Sequence, residues 1–260
     1  MFVEQLKWSV YQAQSAWKWG TVPRREQWIL SRTACLGNDV LNMLALRKPV
    51  LNVQKGRIDY LLDCVEHPEL KARPWQVVPH MARMDIMPLV VQQSMFPPAV
   101  SSPPGLLYMD SYAELTDQLF IHHKRQWRFC CNYSDIRHDG EFQSLFETAG
   151  LLPVEELEFH YRKFFNYIRK SVGQVPVVFL HFPSTLDKRE KYKARQRSIA
   201  KIIAVMAEEF PPFYSLSVDD SIVDWPEVKH PETEDFPYHY NQRTYEAFID
   251  AIHRINIYPF

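Results

Sequence analysis

The sequence predicts an α/β fold: a three-layer α/β/α sandwich whose mostly parallel, five-stranded sheet carries helices on both faces. The prediction rests on five short apolar segments that alternate with longer segments of helical periodicity, a pattern typical of parallel sheets with crossover helices. The chain has 260 residues, of which 46% are apolar and 23% are charged. This length and composition fit one large globular domain or two small ones and exclude a chain that is disordered throughout.

The predicted strands are short runs of aliphatic and aromatic residues, and they cover 28–30, 49–53, 106–109, 175–180 and 213–218. The predicted helices have apolar residues three or four positions apart, and they cover 39–44, 58–65, 112–120, 154–171, 188–209 and 244–255. Asn38 is the predicted N-cap of the first of these helices, because Asn is a preferred residue at that position. Residues 127–131 fit neither period.

The predicted organisation is an N-terminal helix at 1–26 followed by an α/β domain at 27–260. Leu6, Val10, Ala13 and Trp17 lie at near-helical spacing in the first segment. The domain has a predicted insertion at 66–105, where Pro and Met are frequent and no period dominates. Long irregular segments of this kind often contribute to function.

Charge and hydropathy argue against two classes of partner. The chain has 30 Lys and Arg against 31 Asp and Glu, a net charge of −1, so no global field attracts it to nucleic acid. A run of 18 apolar residues is absent from the sequence, and residues 1–25 lack the pattern of a signal peptide. We therefore expect a cytoplasmic protein that has no membrane span and binds no nucleic acid.

Metal, disulfide and nucleotide-cofactor chemistry lack their usual sequence signals. The four cysteines show no CxxC spacing, so we expect reduced thiols and no metal site. Neither GxGxxG nor GxxxxGK[ST] occurs among the 7 glycines, which argues against dinucleotide and P-loop functions. We expect no bound cofactor.

Cys35 follows the first predicted strand, just before a predicted helix. The carboxyl ends of parallel strands meet at one edge of the sheet, where ligands of open α/β sheets bind. A thiol at a helix N-terminus is expected to have a lowered pKa, and nearby backbone N–H groups can stabilise an oxyanion. The sequence therefore indicates a nucleophilic Cys35, and a small buried hydrophobic residue is the alternative interpretation.

The end of the chain offers a carboxylate and an imidazole, Asp235 and His239, just before the last predicted helix. A nucleophile early in the chain and an Asp/His pair late is a common order in hydrolases built on α/β sheets. A histidine in an aromatic loop that pairs with a surface carboxylate is the alternative interpretation.

Together these motifs resemble the SGNH or GDSL hydrolase superfamily. The segment Thr33-Ala34-Cys35-Leu36-Gly37-Asn38-Asp39 looks like the Gly-Asp-Ser-Leu block that opens these proteins, and it is similar to the Gly-Ser-Cys opening of relatives found in bacterial polysaccharide and capsule loci. Asp235 to His239 resembles the closing Asp-x-x-His block, with one additional residue between the two. Cys35 stands where the family has its nucleophilic Ser.

The resemblance implies an acyl-ester hydrolase or acyltransferase that acts on a carbohydrate-type substrate or an acylated small molecule. In this mechanism His239 deprotonates Cys35, Asp235 orients His239, and backbone N–H groups near Leu36 and at Gly56 hold the tetrahedral oxyanion. A transferase would use an acyl donor such as acyl-CoA. The alternative function is a catalytically silent SGNH-like subunit that binds or assembles glycans, with an unreactive Cys35.

Further residues are candidates for substrate contact. Ser111 follows the third strand, where the family usually has a Gly-x-Asn-Asp block, His181 follows the fourth strand, and Arg83 lies in the insertion. Asn132 is a candidate for the oxyanion hole if its segment folds over the site.

The basic residues of 188–201 are interpreted as a solvated helix face or as a platform for an anionic glycan or carrier. Nucleic-acid association through this helix is a third function, which the neutral net charge disfavours.

Overall fold

The computed structural model describes residues 28–46, 48–93, 96–227 and 238–257. The predicted N-terminal helix at 1–26 and the candidate Asp235 lie outside the described residues. Within the described ranges the chain forms eight strands: β1 Ile29–Arg32, β2 Val50–Asn52, β3 Leu106–Asp110, β4 Asp117–His122, β5 Arg128–Asn132, β6 Phe146–Gly150, β7 Val177–Leu180 and β8 Phe213–Leu216.

Five of these strands form the main sheet in the order β2-β1-β3-β7-β8, and every neighbouring pair is parallel. The predicted five-stranded parallel sheet is therefore confirmed. Every residue of β1, β3 and β7 is buried. Burial on both faces explains why these strands are mostly apolar rather than alternating between apolar and polar residues.

Ten α-helices lie in the described part of the chain: α1 Cys35–Met43, α2 Ile58–Glu66, α3 Pro74–Val77, α4 Met87–Gln92, α5 Phe96–Ala99, α6 Tyr112–Thr116, α7 Gly140–Leu145, α8 Val154–Val172, α9 Glu190–Glu209 and α10 Gln242–Ile255. The chain passes from β1 to β2 in one direction and from β2 through β3 and β7 to β8 in the other. Right-handed crossovers therefore place α1 on one face and α2, α8 and α9 on the other. Contacts of α10 with α1, and of α8 with both α2 and α9, complete the three layers.

The start of α1 differs from the prediction. The helix begins at Cys35 with Ala34 as its N-cap, and the amide of Asn38 donates to the Ala34 carbonyl at 3.0 Å. Asn38 thus lies inside the first turn, and its assignment as the N-cap is wrong. The N-cap residue, Ala34, has no side chain that can make a capping hydrogen bond. The preference for polar N-cap residues therefore could not locate the start of this helix.

A second, antiparallel sheet has β4 between β5 and β6. The prediction of one helix over 112–120 is wrong, because α6 ends at Thr116 and β4 begins at Asp117. A short apolar run such as Leu119 to Ile121 fits either period, and pairing with β5 decides its conformation. The unassigned segment 127–131 mostly belongs to β5.

Two large apolar clusters occupy the interior of the described residues, and a small third cluster joins Tyr60 and Cys64 of α2 to Leu119 of β4 and Cys130 of β5. The larger of the two large clusters lies between the main sheet and its helices. In the other, Val77, Met87 and Val91 from the segment 66–105 pack with Phe129 and Phe142 of the small-sheet region. None of the helices in the described ranges combines the length and apolarity that crossing a membrane requires.

Candidate active site

The turn from β1 into α1 is fixed by side chains from the two neighbouring strands. Asn52, at the end of β2, accepts a hydrogen bond from the Thr33 amide at 3.1 Å and donates one to the Thr33 carbonyl at 3.0 Å. Asp110, at the end of β3, accepts a hydrogen bond from the Ala34 amide at 2.8 Å. These contacts hold Cys35 at the carboxyl edge of the sheet.

Cys35 is partly buried, whereas the other three cysteines are buried. Burial raises the pKa of the Cys35 thiol to about 11, the carboxylates of Asp39 and Asp110 also raise it, and the ammonium of Lys55 lowers it. The expectation of a lowered pKa is therefore wrong, because the lost hydration of the thiolate and the two carboxylates outweigh the helix N-terminus. The thiol is protonated at neutral pH, and a reaction at this sulfur needs a base.

His239 lies beside α1, one turn along from Cys35. Its Nδ1 is 4.0 Å from Oδ2 of Asp39, which also accepts a hydrogen bond from the Tyr245 hydroxyl at 3.1 Å. Residues four apart share one face of a helix, so Cys35 and Asp39 lie on the same face of α1. The structure thus brings His239 to this face although it is distant from Cys35 in sequence.

Sequence reasoning missed Asp39, whose signal was its four-residue spacing from Cys35. Burial raises the pKa of Asp39, while the Tyr245 hydrogen bond and His239 lower it. Because Asp235 lies outside the described residues, its role in orienting His239 stays a prediction.

Asp110 lies at the base of the site and is 1% exposed. Its carboxylate accepts hydrogen bonds from the Ala34 amide at 2.8 Å and the Tyr112 amide at 3.0 Å. Burial raises the pKa of Asp110 to about 7, although these hydrogen bonds oppose the shift. A carboxyl group that titrates near neutral pH therefore supports the turn that carries Cys35.

Lys55 lies in the loop after β2 and is 3% exposed. Its Nζ is 3.0 Å from the Asp135 carboxylate, 3.5 Å from the Asp117 carboxylate and 5.4 Å from the centroid of the Tyr112 ring. Burial lowers the pKa of Lys55, but Asp117, Tyr112 and Asp135 together raise it well above its usual value. Sequence reasoning missed this residue, because its partners come from β4 and from the turn after β5.

The predicted oxyanion residues lie near the same edge. Leu36 is buried in the first turn of α1. The Gly56 carbonyl accepts a hydrogen bond from Arg32 at 2.8 Å, and a Cβ at Gly56 would lie 2.7 Å from the Leu61 side chain. Packing therefore accounts for a glycine at this position, and the oxyanion role of both residues stays a prediction. The carboxamide oxygen of Asn132 accepts a hydrogen bond from the Ser134 amide at 3.1 Å and caps a turn.

Ser111 and His181 share one buried network. The Ser111 hydroxyl donates to Gln196 at 2.9 Å and accepts from the Phe182 amide at 3.1 Å. The His181 Nε2 lies 2.8 Å from the Ser215 hydroxyl, and its Nδ1 lies 3.4 Å from the Gln196 carboxamide nitrogen. Burial lowers the pKa of His181 to about 4, so this imidazole is neutral and a poor base at neutral pH. Substrate contact by Ser111 or His181 stays a prediction.

Arg83 is exposed, and its guanidinium lies 2.7 Å from the Asp85 carboxylate. In the basic segment 188–201, Arg195 is buried and donates hydrogen bonds to the carbonyls of Glu114 at 2.5 Å and Leu152 at 2.6 Å. The interpretation of this segment as a solvated face is therefore wrong for Arg195. Substrate contact by Arg83 stays a prediction.

Comparisons with known proteins give likenesses to solved structures and none to a known sequence family. No family model matches the sequence, and no curated protein sequence matches it. A GDSL-like lipase from Bacteroides thetaiotaomicron VPI-5482 is similar at 10% identity over 94% of this chain and 96% of that chain, with a TM-score of 0.43. A salicylyl-acyltransferase from a tetracycline biosynthetic pathway is similar at 11% identity over 92% of this chain, with a TM-score of 0.39, and this chain spans 57% of its length. At these identities and TM-scores the likenesses say nothing about the function of this chain.

Proposed function

We propose that the chain is an acyl-ester hydrolase or acyltransferase in which Cys35 is the nucleophile and His239 the general base. The observation that carries the proposal is the 4.0 Å separation of His239 Nδ1 from Asp39 Oδ2, one helical turn from Cys35. A carboxylate beside an imidazole favours the imidazolium that forms when the base takes a proton. Asp39 fills this role in the proposal, and Asp235 is the other candidate for it.

The proposed reaction begins with the protonated Cys35 thiol. His239 takes the thiol proton as the sulfur attacks the acyl carbon, and the carbonyl electron pair moves to the oxygen, which the amides of Leu36 and Gly56 stabilise. The intermediate then collapses to a thioester, and the alcohol leaves with the proton from His239. Water or an acceptor hydroxyl next attacks the thioester, with His239 taking its proton and returning one to the sulfur.

The proposed substrate is an ester of a carbohydrate-type compound, and a transferase would use an acyl donor such as acyl-CoA. Tyr112, Phe182 and Tyr238 lie 5.2 to 5.9 Å apart between ring centroids, but Phe182 and Tyr238 are buried, so this group packs in the main core. Trp225 is the ring proposed to contact the sugar, because it is partly exposed and follows Asp224, whose carbonyl accepts a hydrogen bond from the Asn241 amide at 3.0 Å. Aromatic rings offer an apolar face together with a polar edge, which suits the apolar face of a sugar ring.

Replacing the nucleophile tests the reaction. Cys35→Ala is expected to lower kcat/KM for p-nitrophenyl acetate by about a thousandfold, because the thioester can no longer form. Its Tm should stay near that of the wild type, since the thiol makes little apolar contact that alanine would lose. Hydrolysis of an O-acetylated sugar by the same pair of proteins tests the substrate class.

Cys64→Ala is the matched control, because this cysteine is buried in a different cluster. It should lose some stability and keep the activity of the folded protein. Full activity in Cys35→Ala would remove Cys35 from the mechanism.

A catalytically silent binding or assembly subunit is the second candidate. The raised pKa of Cys35, about 11, favours it, because the resting thiol has little thiolate at neutral pH. This candidate predicts no ester turnover in the wild type and an alkylation rate at Cys35 no faster than that of the buried Cys64.

A further inference from the structure

The loop that carries Lys55 is fastened to the turn that carries Cys35. The Val53 amide donates to the Ser31 carbonyl at 2.8 Å, which extends the pairing of β2 with β1. Three residues further along the same loop, the Gly56 carbonyl accepts a hydrogen bond from the Arg32 guanidinium at 2.8 Å. Lys55 lies between these two contacts, so its position relative to β1 and the following turn is fixed.

Tyr112 and Asp110 connect the two residues. The Lys55 ammonium lies over the Tyr112 ring, 5.4 Å from its centroid. One carboxylate oxygen of Asp110 accepts a hydrogen bond from the Tyr112 amide at 3.0 Å, and the other accepts one from the Ala34 amide at 2.8 Å. Ala34 directly precedes Cys35, and the Cys35 thiol and the Lys55 ammonium both act on the phenol of Tyr112.

The charge on Lys55 is held in place in a site closed to water. The side chains of Lys55, Asp117 and Asp135 are each at most 4% exposed. Asp117 Oδ2 is buried without a hydrogen-bond partner, so the carboxylates depend on the ammonium for stabilisation. Charge interactions in such an environment are much stronger than at the surface.

We propose that Lys55 is a positioning residue for the Cys35 site, whose fixed positive charge stabilises the thiolate that forms as the proton leaves. The charge opposes the carboxylates of Asp39 and Asp110, which disfavour the thiolate. The other titratable groups that act on this region come from α6, the segment before α10 and α10 itself, and they are Tyr112, His239, Tyr240 and Tyr245. The consequence for catalysis rests on the proposed function, whereas the thiolate itself is measured without turnover.

The test is the rate at which iodoacetamide alkylates Cys35, read by mass spectrometry between about pH 8 and pH 9, where the rate follows the thiolate fraction. Lys55→Met is expected to react about tenfold more slowly at each pH, as loss of a nearby opposite charge raises a pKa by about one unit or more. Lys55→Arg keeps the charge and should keep a rate near that of the wild type. If Lys55 had only a structural role, its loss would loosen the site, expose the Cys35 thiol and make alkylation faster rather than slower.

Arg57→Met is the matched control. Arg57 lies in the same loop, is also 3% exposed, and pairs with Asp59, and it is not among the groups that shift the pKa of Cys35. Its loss should destabilise the protein and leave the alkylation of Cys35 without the tenfold slowing. If Lys55→Met does not fold, Lys55→Gln removes the charge but can still donate hydrogen bonds to the buried carboxylates, and it should show the same slowing.

Two results overturn the proposal: alkylation of a folded variant that lacks the charge, Lys55→Met or Lys55→Gln, at the wild-type rate or faster, or equal slowing in Arg57→Met. Full ester turnover by Cys35→Ala would instead remove the proposed function and leave the alkylation result standing. The two failures are therefore distinguishable.

Discussion

Gly37 allows the first turn of α1 to pack against the end of β1. A Cβ at Gly37 would lie 2.4 Å from Cγ2 and 2.5 Å from Cβ of Thr33. Thr33 cannot retreat easily, because Asn52 holds its backbone on both sides and Ser31 lies 3.0 Å from its hydroxyl. The glycine is therefore required by close approach rather than by an unusual backbone angle.

Gly37→Ala is expected to lower the free energy of unfolding by about 1–3 kcal/mol, the usual cost of overpacking a tight site. Urea denaturation of the variant and the wild type measures this difference in the free energy of unfolding. Gly140→Ala is the control, since a Cβ there meets nothing within 4 Å and alanine favours the helix by about 1 kcal/mol or less. Equal stability of the two variants would refute the argument.

The position of Cys35 at the edge of the sheet was predicted from the sequence, but the direction of its pKa shift was not. Its place follows from an apolar strand and a following helix, both local patterns. Its pKa depends on burial and on Asp39, Lys55 and Asp110, which come from three different elements. Asp39 shares a helix with Cys35, but Lys55 and Asp110 are distant from it in sequence, and such long-range neighbours have no signature in a single sequence.

Between elements, a buried carboxylate joins α6 to three other parts of the fold. Glu114 accepts two hydrogen bonds from Arg32 of β1, at 2.7 and 2.6 Å. It also accepts from the Ile58 amide of α2 at 3.0 Å and the Tyr161 hydroxyl of α8 at 2.9 Å. Burying these charges is tolerable because each is paired and hydrogen-bonded. The five parallel strands could be predicted from apolar runs in the sequence. The partners of Glu114 come from distant segments, so this network could be recognised only in the folded structure.

His181 connects β7, β8 and α9 through Ser215 and Gln196, and it makes the stability of this contact depend on pH. The unfolded chain protonates His181 below about pH 6.5, whereas burial lowers its pKa in the folded protein to about 4. Between these values the unfolded state binds the extra proton, so the stabilising contribution is present above pH 6.5 and is lost as the pH falls to 4.

A comparison with His181→Gln isolates this contribution. Relative to the variant, the wild type should lose about 3 kcal/mol of unfolding free energy from pH 6.5 to pH 4. Urea denaturation at several pH values measures the difference, in which the other titrating groups cancel. A constant difference across this range would show that His181 titrates alike in both states.

Over the whole molecule, the small sheet and the main sheet each have a large apolar cluster of their own, and a small cluster between α2 and the strands β4 and β5 joins them. The large cluster of the small sheet is rich in aromatic rings, and Phe142 lies 4.8 Å from Phe146 and 5.6 Å from both Phe120 and His80 between ring centroids. This second core was not predicted from the sequence. Its strands β4 and β5 are short, and their pairing partners are needed to tell them from helix.

Phe142→Ala is the substitution that separates the two cores. Truncating a buried phenylalanine costs about 3–5 kcal/mol, and the loss should fall on the region whose interior Phe142 fills. Native-state hydrogen exchange should therefore show weakened protection over 74–92 and 117–150, while β1, β3 and β7 keep theirs. Phe164→Ala is the control, because Phe164 is buried in the main core, and it should weaken the main sheet first. Equal loss of protection everywhere in Phe142→Ala would mean that both cores unfold as one cooperative unit, with Lys55 and its two carboxylates coupling them across the candidate site.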